Sequence, residues 1–170
     1  MVTIREERAG DIAAIRAVNE TAFGRPQEVE LIDALRKNHG VLLSLVATLH
    51  GQMVGHIIYS PVTVGVEGKS VIGAGLGPMA VLPEFQRRGI GGKLIEAGNR
   101  KLHERGCPFI VVLGHPEYYP RFGFKAAAVY GLKCQWDVPA DVFMVIVTHR
   151  TKMTGISGVV RYRPEFSNLM

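Results

Sequence analysis

The chain has 170 residues, 47% hydrophobic and 21% charged, the balance of an ordinary globular protein with a single core. Its longest apolar runs, residues 109–113 and 142–147, are far too short to cross a bilayer, and the acidic start Met1-Val2-Thr3-Ile4-Arg5-Glu6-Glu7 carries no signal peptide. A net charge of +5 suits an anionic cofactor or acidic partner, but the lysines and arginines are dispersed without interleaved aromatics, so neither nucleic acid nor membrane is expected as a partner.

Cys107 and Cys134 lie far apart, with no C-x-x-C or metal spacing, and the six histidines do not cluster. They read as reduced thiols in a cytoplasmic protein without a metal site.

Taken in order, residues 2–5 alternate and predict a short strand. Asp11 is placed to cap a helix whose stripe is Ile12, Ile15, Val18 and Ala22, and Phe23-Gly24-Arg25-Pro26 breaks it. Residues 27–37 predict a second helix with Val29, Leu31, Ile32 and Leu35 on one face. A strand over 42–50, a hairpin turn at Gly51-Gln52, a returning strand over 53–66 interrupted at Ser60-Pro61, a turn at Glu67-Gly68-Lys69 and a strand over 70–82 predict an antiparallel meander. The third of these strands contains Gly73, Gly75, Gly77 and Pro78, the marks of a bulge or of a close backbone approach. A helix runs to about Arg105-Gly106, residues 108–113 form a buried strand of parallel type, and residues 141–148 form a last strand. The tail over 151–170 reads as an extended segment packed on the domain, as a further strand or as a homodimer contact. With no repeat or linker, residues 1–170 read as one domain.

The most informative stretch is residues 79–93, MAVLPEFQRRGIGGK, in which a strand feeds a glycine-rich turn that opens a helix. Glycine at a helix start costs ~1 kcal/mol relative to alanine, so Gly89, Gly91 and Gly92 need a reason. The unpaired first-turn N–H groups, the helix dipole and the charges of Arg87 and Arg88 together make a phosphate site that glycine lets a ligand approach. The spacing excludes G-x-x-x-x-G-K-[ST], because Leu94 follows Gly92-Lys93, and it excludes G-x-G-x-x-G as well.

What fits is Q-x-x-G-x-G, with Gln86, Gly89 and Gly91. This resembles the pyrophosphate motif of the GNAT N-acetyltransferase superfamily. A second landmark has the right order: Tyr119 stands four residues before Gly123-Phe124, as in the aromatic segment of that family. The resemblance implies a mixed α/β fold, with a mostly antiparallel sheet of six or seven strands, splayed at strand four and flanked by about four helices.

The resemblance also implies acetyl-CoA as acyl donor. Its pantetheine arm would lie on Met79, Ala80 and Val81, and its pyrophosphate on Gln86, Arg87, Arg88, Gly89, Ile90, Gly91 and Gly92. Tyr119 would be the general acid toward the leaving thiolate. Transfer would go directly, in a ternary complex, to a primary amine of a small molecule or protein. The general base stays open: no carboxylate lies between Ser70 and Leu82, which leaves Glu28, Glu30, His115, Glu117 or a water-relayed path. That gap gives weight to a non-catalytic acyl-CoA-binding or sensing protein as the alternative. A basic nucleic-acid module ranks below it, and salt-dependent DNA binding would reveal it.

Overall fold

The computed structural model of the chain describes residues 1–66 and 68–169. Nine strands occur among them: β1 (Thr3–Glu6), β2 (Leu43–Leu49), β3 (Gln52–Val66), β4 (Lys69–Val81), β5 (Phe109–Leu113), β6 (Lys125–Ala126), β7 (Leu132–Cys134), β8 (Phe143–Val147) and β9 (Gly158–Val160). The helices are α1 (Ile12–Phe23), α2 (Gln27–Lys37) and α3 (Ile90–Glu104). These three, against the four or so expected, are supplemented by short 3-10 turns. Seven strands make the main sheet in the order β1-β2-β3-β4-β5-β8-β6, antiparallel except for the β4–β5 pair. β7 and β9 pair separately in parallel.

The meander forms as the pattern predicts, with three local differences. The β2–β3 turn is centred on His50 and Gly51, both at positive φ (+50° and +78°), so Gln52 already belongs to β3. Two positive-φ residues are what a tight hairpin twisted with its strands requires. Ser60-Pro61 does not interrupt β3: β2 stops pairing at Tyr59, so Pro61 falls where β3 has β4 as its only sheet partner, and a missing donor is tolerated there. Asp11 does not cap α1 with its side chain. Its carboxylate accepts the Arg8 N–H at 2.7 Å and the Arg5 guanidinium at 2.7 and 3.0 Å, closing the turn before the helix. The turn expected at Glu67 falls outside the described residues.

Two glycines of β4, Gly73 and Gly75, are explained by rings. A Cβ at Gly73 would sit 2.5 Å from the Phe109 ring, and one at Gly75 2.9 Å from the Tyr162 ring. Both aromatics lie flush on the sheet because β4 offers bare backbone beneath them.

Between the sheet and α1 runs a buried polar chain. Asn19 Nδ2 donates to Ile15 O at 2.9 Å and, at 3.1 Å, to His56 Nδ1. The imidazole therefore presents Nε2–H to Ser44 Oγ, 2.9 Å away, and the Ser44 hydroxyl donates to Glu7 Oε1 at 2.6 Å. Arg36 closes the chain on the Glu7 carboxylate. His56 is fully buried; that burial, with Arg36 adding to it and Glu7 opposing, pushes its pKa down to about 4.

His56 is thus neutral in the fold but protonates near 6.5 when unfolded, so its contribution is complete above pH 6.5 and is lost as pH falls toward 4. Urea titrations between pH 7 and pH 4 should show the midpoint falling across that window, by up to roughly 3 kcal/mol in stability. His56→Gln should flatten the dependence; an unchanged slope would assign it to other groups.

Candidate active site

β4 and β5 are hydrogen-bonded only at Ala74–Ile110, Gly75–Val111 and Leu76–Val112. Just beyond, β4 bulges: Tyr59 pairs with Leu76 but Ile57 with Met79, so Gly77 and Pro78 stand opposite the single residue Ile58. Gly77 takes φ +126°, which only glycine holds without strain. After the bulge β4 stays with β3 through Val81, while β5 continues beside β8. The edge of β4 at Met79, Ala80 and Val81 is left without a sheet partner on the β5 side. The splay expected at strand four is therefore present, and Gly77-Pro78 is its origin.

From Val81 the chain turns through Pro83–Phe85 and enters α3. Arg87 and Gly89 both have positive φ (+64° and +79°). The first helical bond, Lys93 N–H to Gly89 O at 3.1 Å, leaves the N–H groups of Ile90, Gly91 and Gly92 without an intrahelical acceptor. Arg87 and Arg88 are exposed beside them, the Arg88 guanidinium 5.3 Å from the Phe85 ring centre. Nothing lies within 4 Å of a Cβ built on Gly89. Together these form an open, electropositive backbone cradle.

Three site residues take roles that the sequence did not suggest. The Gln86 side chain donates to Val81 O at 2.9 Å, pinning the turn to β4. Gly91 and Gly92 are small for packing as well as for ligand approach: a Cβ at Gly91 would lie 3.1 Å from the Tyr118 hydroxyl, and one at Gly92 3.1 Å from the Phe122 ring.

Tyr119 opens the 3-10 turn Tyr119–Phe122 that follows β5. Its ring lies against bare Gly114 and meets Tyr118 and Phe124 edge-on, at 5.1 and 5.7 Å between centres. Burial, with Tyr118 adding to it, pushes the phenol up to about 12, so it is a firmly protonated donor at neutral pH. Tyr119 borders a cavity of about 250 Å³ at the β4–β5 split, where Leu76 to Met79 form one side and Leu113 another. Phe23 and Glu28 enter from the α1–α2 corner; Trp136, Tyr162, Phe166 and Leu169 come from the C-terminal third.

The base candidates separate clearly. Glu28 is buried at 3% exposure, lines the cavity, and pairs with the Arg25 guanidinium at 2.9 and 3.1 Å. Glu30, His115 and Glu117 are exposed and do not line it. The C-terminal wall was not legible as part of a site; the only signal was a tail carrying Tyr162 and Phe166.

The family model described as Acetyltransferase (GNAT) domain matches residues 3–127. The chain belongs to the GNAT acetyltransferase family. Among the family's curated proteins, the uncharacterized N-acetyltransferase YhbS of Escherichia coli K12 is 33% identical over 165 residues, 96% of this chain and 98% of that protein. YjhQ of the same organism, also an uncharacterized N-acetyltransferase, is 41% identical over 134 residues, 77% and 74% of the two chains. The crystal structure of Escherichia coli YhbS in complex with CoA superposes with TM-score 0.90 at 33% identity, covering 98% of this chain and 92% of that one. A GNAT acetyltransferase from Brucella melitensis in complex with acetyl-CoA superposes at 0.77 with 39% identity, covering 98% of each.

Placing a carboxylate in the cradle, as in Gly91→Glu, should weaken acetyl-CoA binding at least 100-fold by calorimetry in a variant shown to be folded by circular dichroism, its melting temperature lowered by the crowding of the Tyr118 hydroxyl. Unchanged affinity would remove the cradle as the diphosphate site.

Proposed function

We propose that this GNAT enzyme moves the acetyl group of acetyl-CoA to a primary amine by direct transfer in a ternary complex. The observation that carries the reading is the β4–β5 split, which joins the α3 cradle on one side to the cavity holding Tyr119 and Glu28 on the other. The backbone of Gln86 to Gly92, with Arg87 and Arg88, takes the diphosphate. The free edge of Met79 to Val81 takes the pantetheine amides in the manner of an added strand, and an N–H of that edge polarises the acetyl carbonyl.

The amine nitrogen, neutral when it attacks, forms the C–N bond while the C–S bond breaks. Glu28, directly or through a water, takes the proton that the ammonium loses before attack and the one that the nitrogen loses after it, each passing on to solvent, and the CoA thiolate leaves and takes a proton from solvent. A thiol near 8.5 facing a phenol at about 12 makes full proton transfer uphill by roughly 5 kcal/mol, so Tyr119 acts chiefly by donating a hydrogen bond to the departing sulfur.

Three further assignments accompany this reading. The whole chain functions as one acetyltransferase domain, with its tail packed on the sheet. It works in the cytoplasm with Cys107 and Cys134 reduced. A homodimer formed through the tail is the accompanying oligomeric proposal, and sedimentation tests it. The non-catalytic acyl-CoA-binding alternative is less favoured, because a protonated tyrosine and a buried carboxylate share the cavity.

Calorimetric titration with acetyl-CoA and with CoA should show micromolar or tighter binding of both, and absence of binding would overturn the reading. Tyr119→Phe should lower kcat by about 10- to 100-fold while acetyl-CoA affinity stays within threefold. With its phenol near 12, Tyr119 should impose no alkaline fall in kcat below about pH 11. Full activity of Tyr119→Phe would reassign the residue to packing.

A further inference from the structure

Resting on that reading, we propose that the acceptor is a small primary amine carrying an uncharged apolar group, bound through its nitrogen by Glu28, and that amines of folded proteins are excluded. Size is the first argument. A cavity of about 250 Å³ lies below the roughly 300–1,000 Å³ of clefts that hold drug-sized ligands, and part of it must take the acetyl group.

The wall is the second argument. The 3-10 turn Pro164–Asn168 and Leu169 after it bring Phe166 and Leu169 to the cavity, where Tyr162 and Trp136 also stand, so the C-terminal segment forms one wall and narrows the space open to a bulky acceptor. Trp136, Tyr162 and Phe166 form a contiguous aromatic group, with ring centres 5.0 and 5.2 Å apart. Such rings accept an apolar body and favour a cation near their faces.

Charge is the third. Among the described residues, Glu28 is the one acid lining the cavity, and no lysine or arginine lines it. Arg25 is committed to Glu28 from the half-exposed rim. An acceptor carrying a carboxylate would meet no cation inside, whereas an ammonium would meet Glu28. Glu28 Oε1 accepts one bond from Arg25, which leaves a second acceptor position for a charge-assisted bond to the amine. The Tyr162 ring contributes to the same wall, and its hydroxyl is buried away from solvent.

The test measures CoA thiol release at saturating acetyl-CoA for phenethylamine, 3-methylbutylamine, ethanolamine, phenylalanine and a ten-residue peptide with one lysine. The apolar amines should exceed ethanolamine, phenylalanine and the peptide by at least tenfold in kcat/KM. Glu28→Gln should raise the phenethylamine KM at least tenfold with acetyl-CoA affinity within threefold. If that variant does not fold, Leu169→Trp, a change near the C-terminus that narrows the cavity, should raise the phenethylamine KM at least fivefold on its own. Preference for the peptide or for phenylalanine, or unchanged KM in a folded Glu28→Gln or in Leu169→Trp, would overturn the proposal. So would acetyl-CoA binding without turnover of either apolar amine; failure to bind acetyl-CoA would instead strike the underlying acetyltransfer reading.

Discussion

The site depends on two strands parting. β4 and β5 share three residue pairs and then diverge, because the bulge at Gly77-Pro78 keeps β4 on β3 while β5 follows β8. A regular sheet would hydrogen-bond Met79 to Val81 on both sides and leave nothing for a ligand. The bulge gives up ladder bonds worth on the order of 1 kcal/mol each and leaves in their place a strand edge opening on a cavity. The cradle at α3 lies one short turn beyond that edge, so the same break sets the distance between the cradle and the cavity.

Bare backbone is the second device, and it recurs wherever an aromatic ring must come close. Phe109 lies on Gly73, Tyr162 on Gly75, Tyr119 on Gly114 and Phe122 on Gly92. Each ring gains burial that a side chain beneath it would prevent. Tyr162 and Tyr119 are the consequential cases, since both border the cavity, and their orientations are fixed from below by residues that lack a Cβ.

Much of this was legible in the sequence. The strand order of the meander, the defect in β4, the turn into α3 and the position of Tyr119 all follow from local signals: alternation, glycine and proline placement, and motif spacing. What was not legible depends on long-range packing. The spacing of Gly91 and Gly92 implied ligand approach but could not show that Tyr118 and Phe122 also press on them. Pro61 looked like a break because the sequence does not say where β2 ends. Glu28 and Glu30 were equal candidates until the fold turned one inward and the other to solvent. The wall from Trp136 to Leu169 has no motif, because its residues are brought together only when the tail pairs antiparallel with β3 at the Thr63–Arg161 bridge.

That pairing brings two stretches of the chain to one cavity. The cradle, the free edge and Tyr119 fall within residues 3–127, the span that matches the family, whereas Trp136, Tyr162, Phe166 and Leu169 lie beyond it. The cavity wall is therefore shared: Phe23 and Glu28 come from the matching span and face four residues from outside it. The residues beyond 127 also supply β8, which holds β5 over five residue pairs, so the C-terminal third cannot be exchanged as a unit without disturbing the strand split on which the site is built.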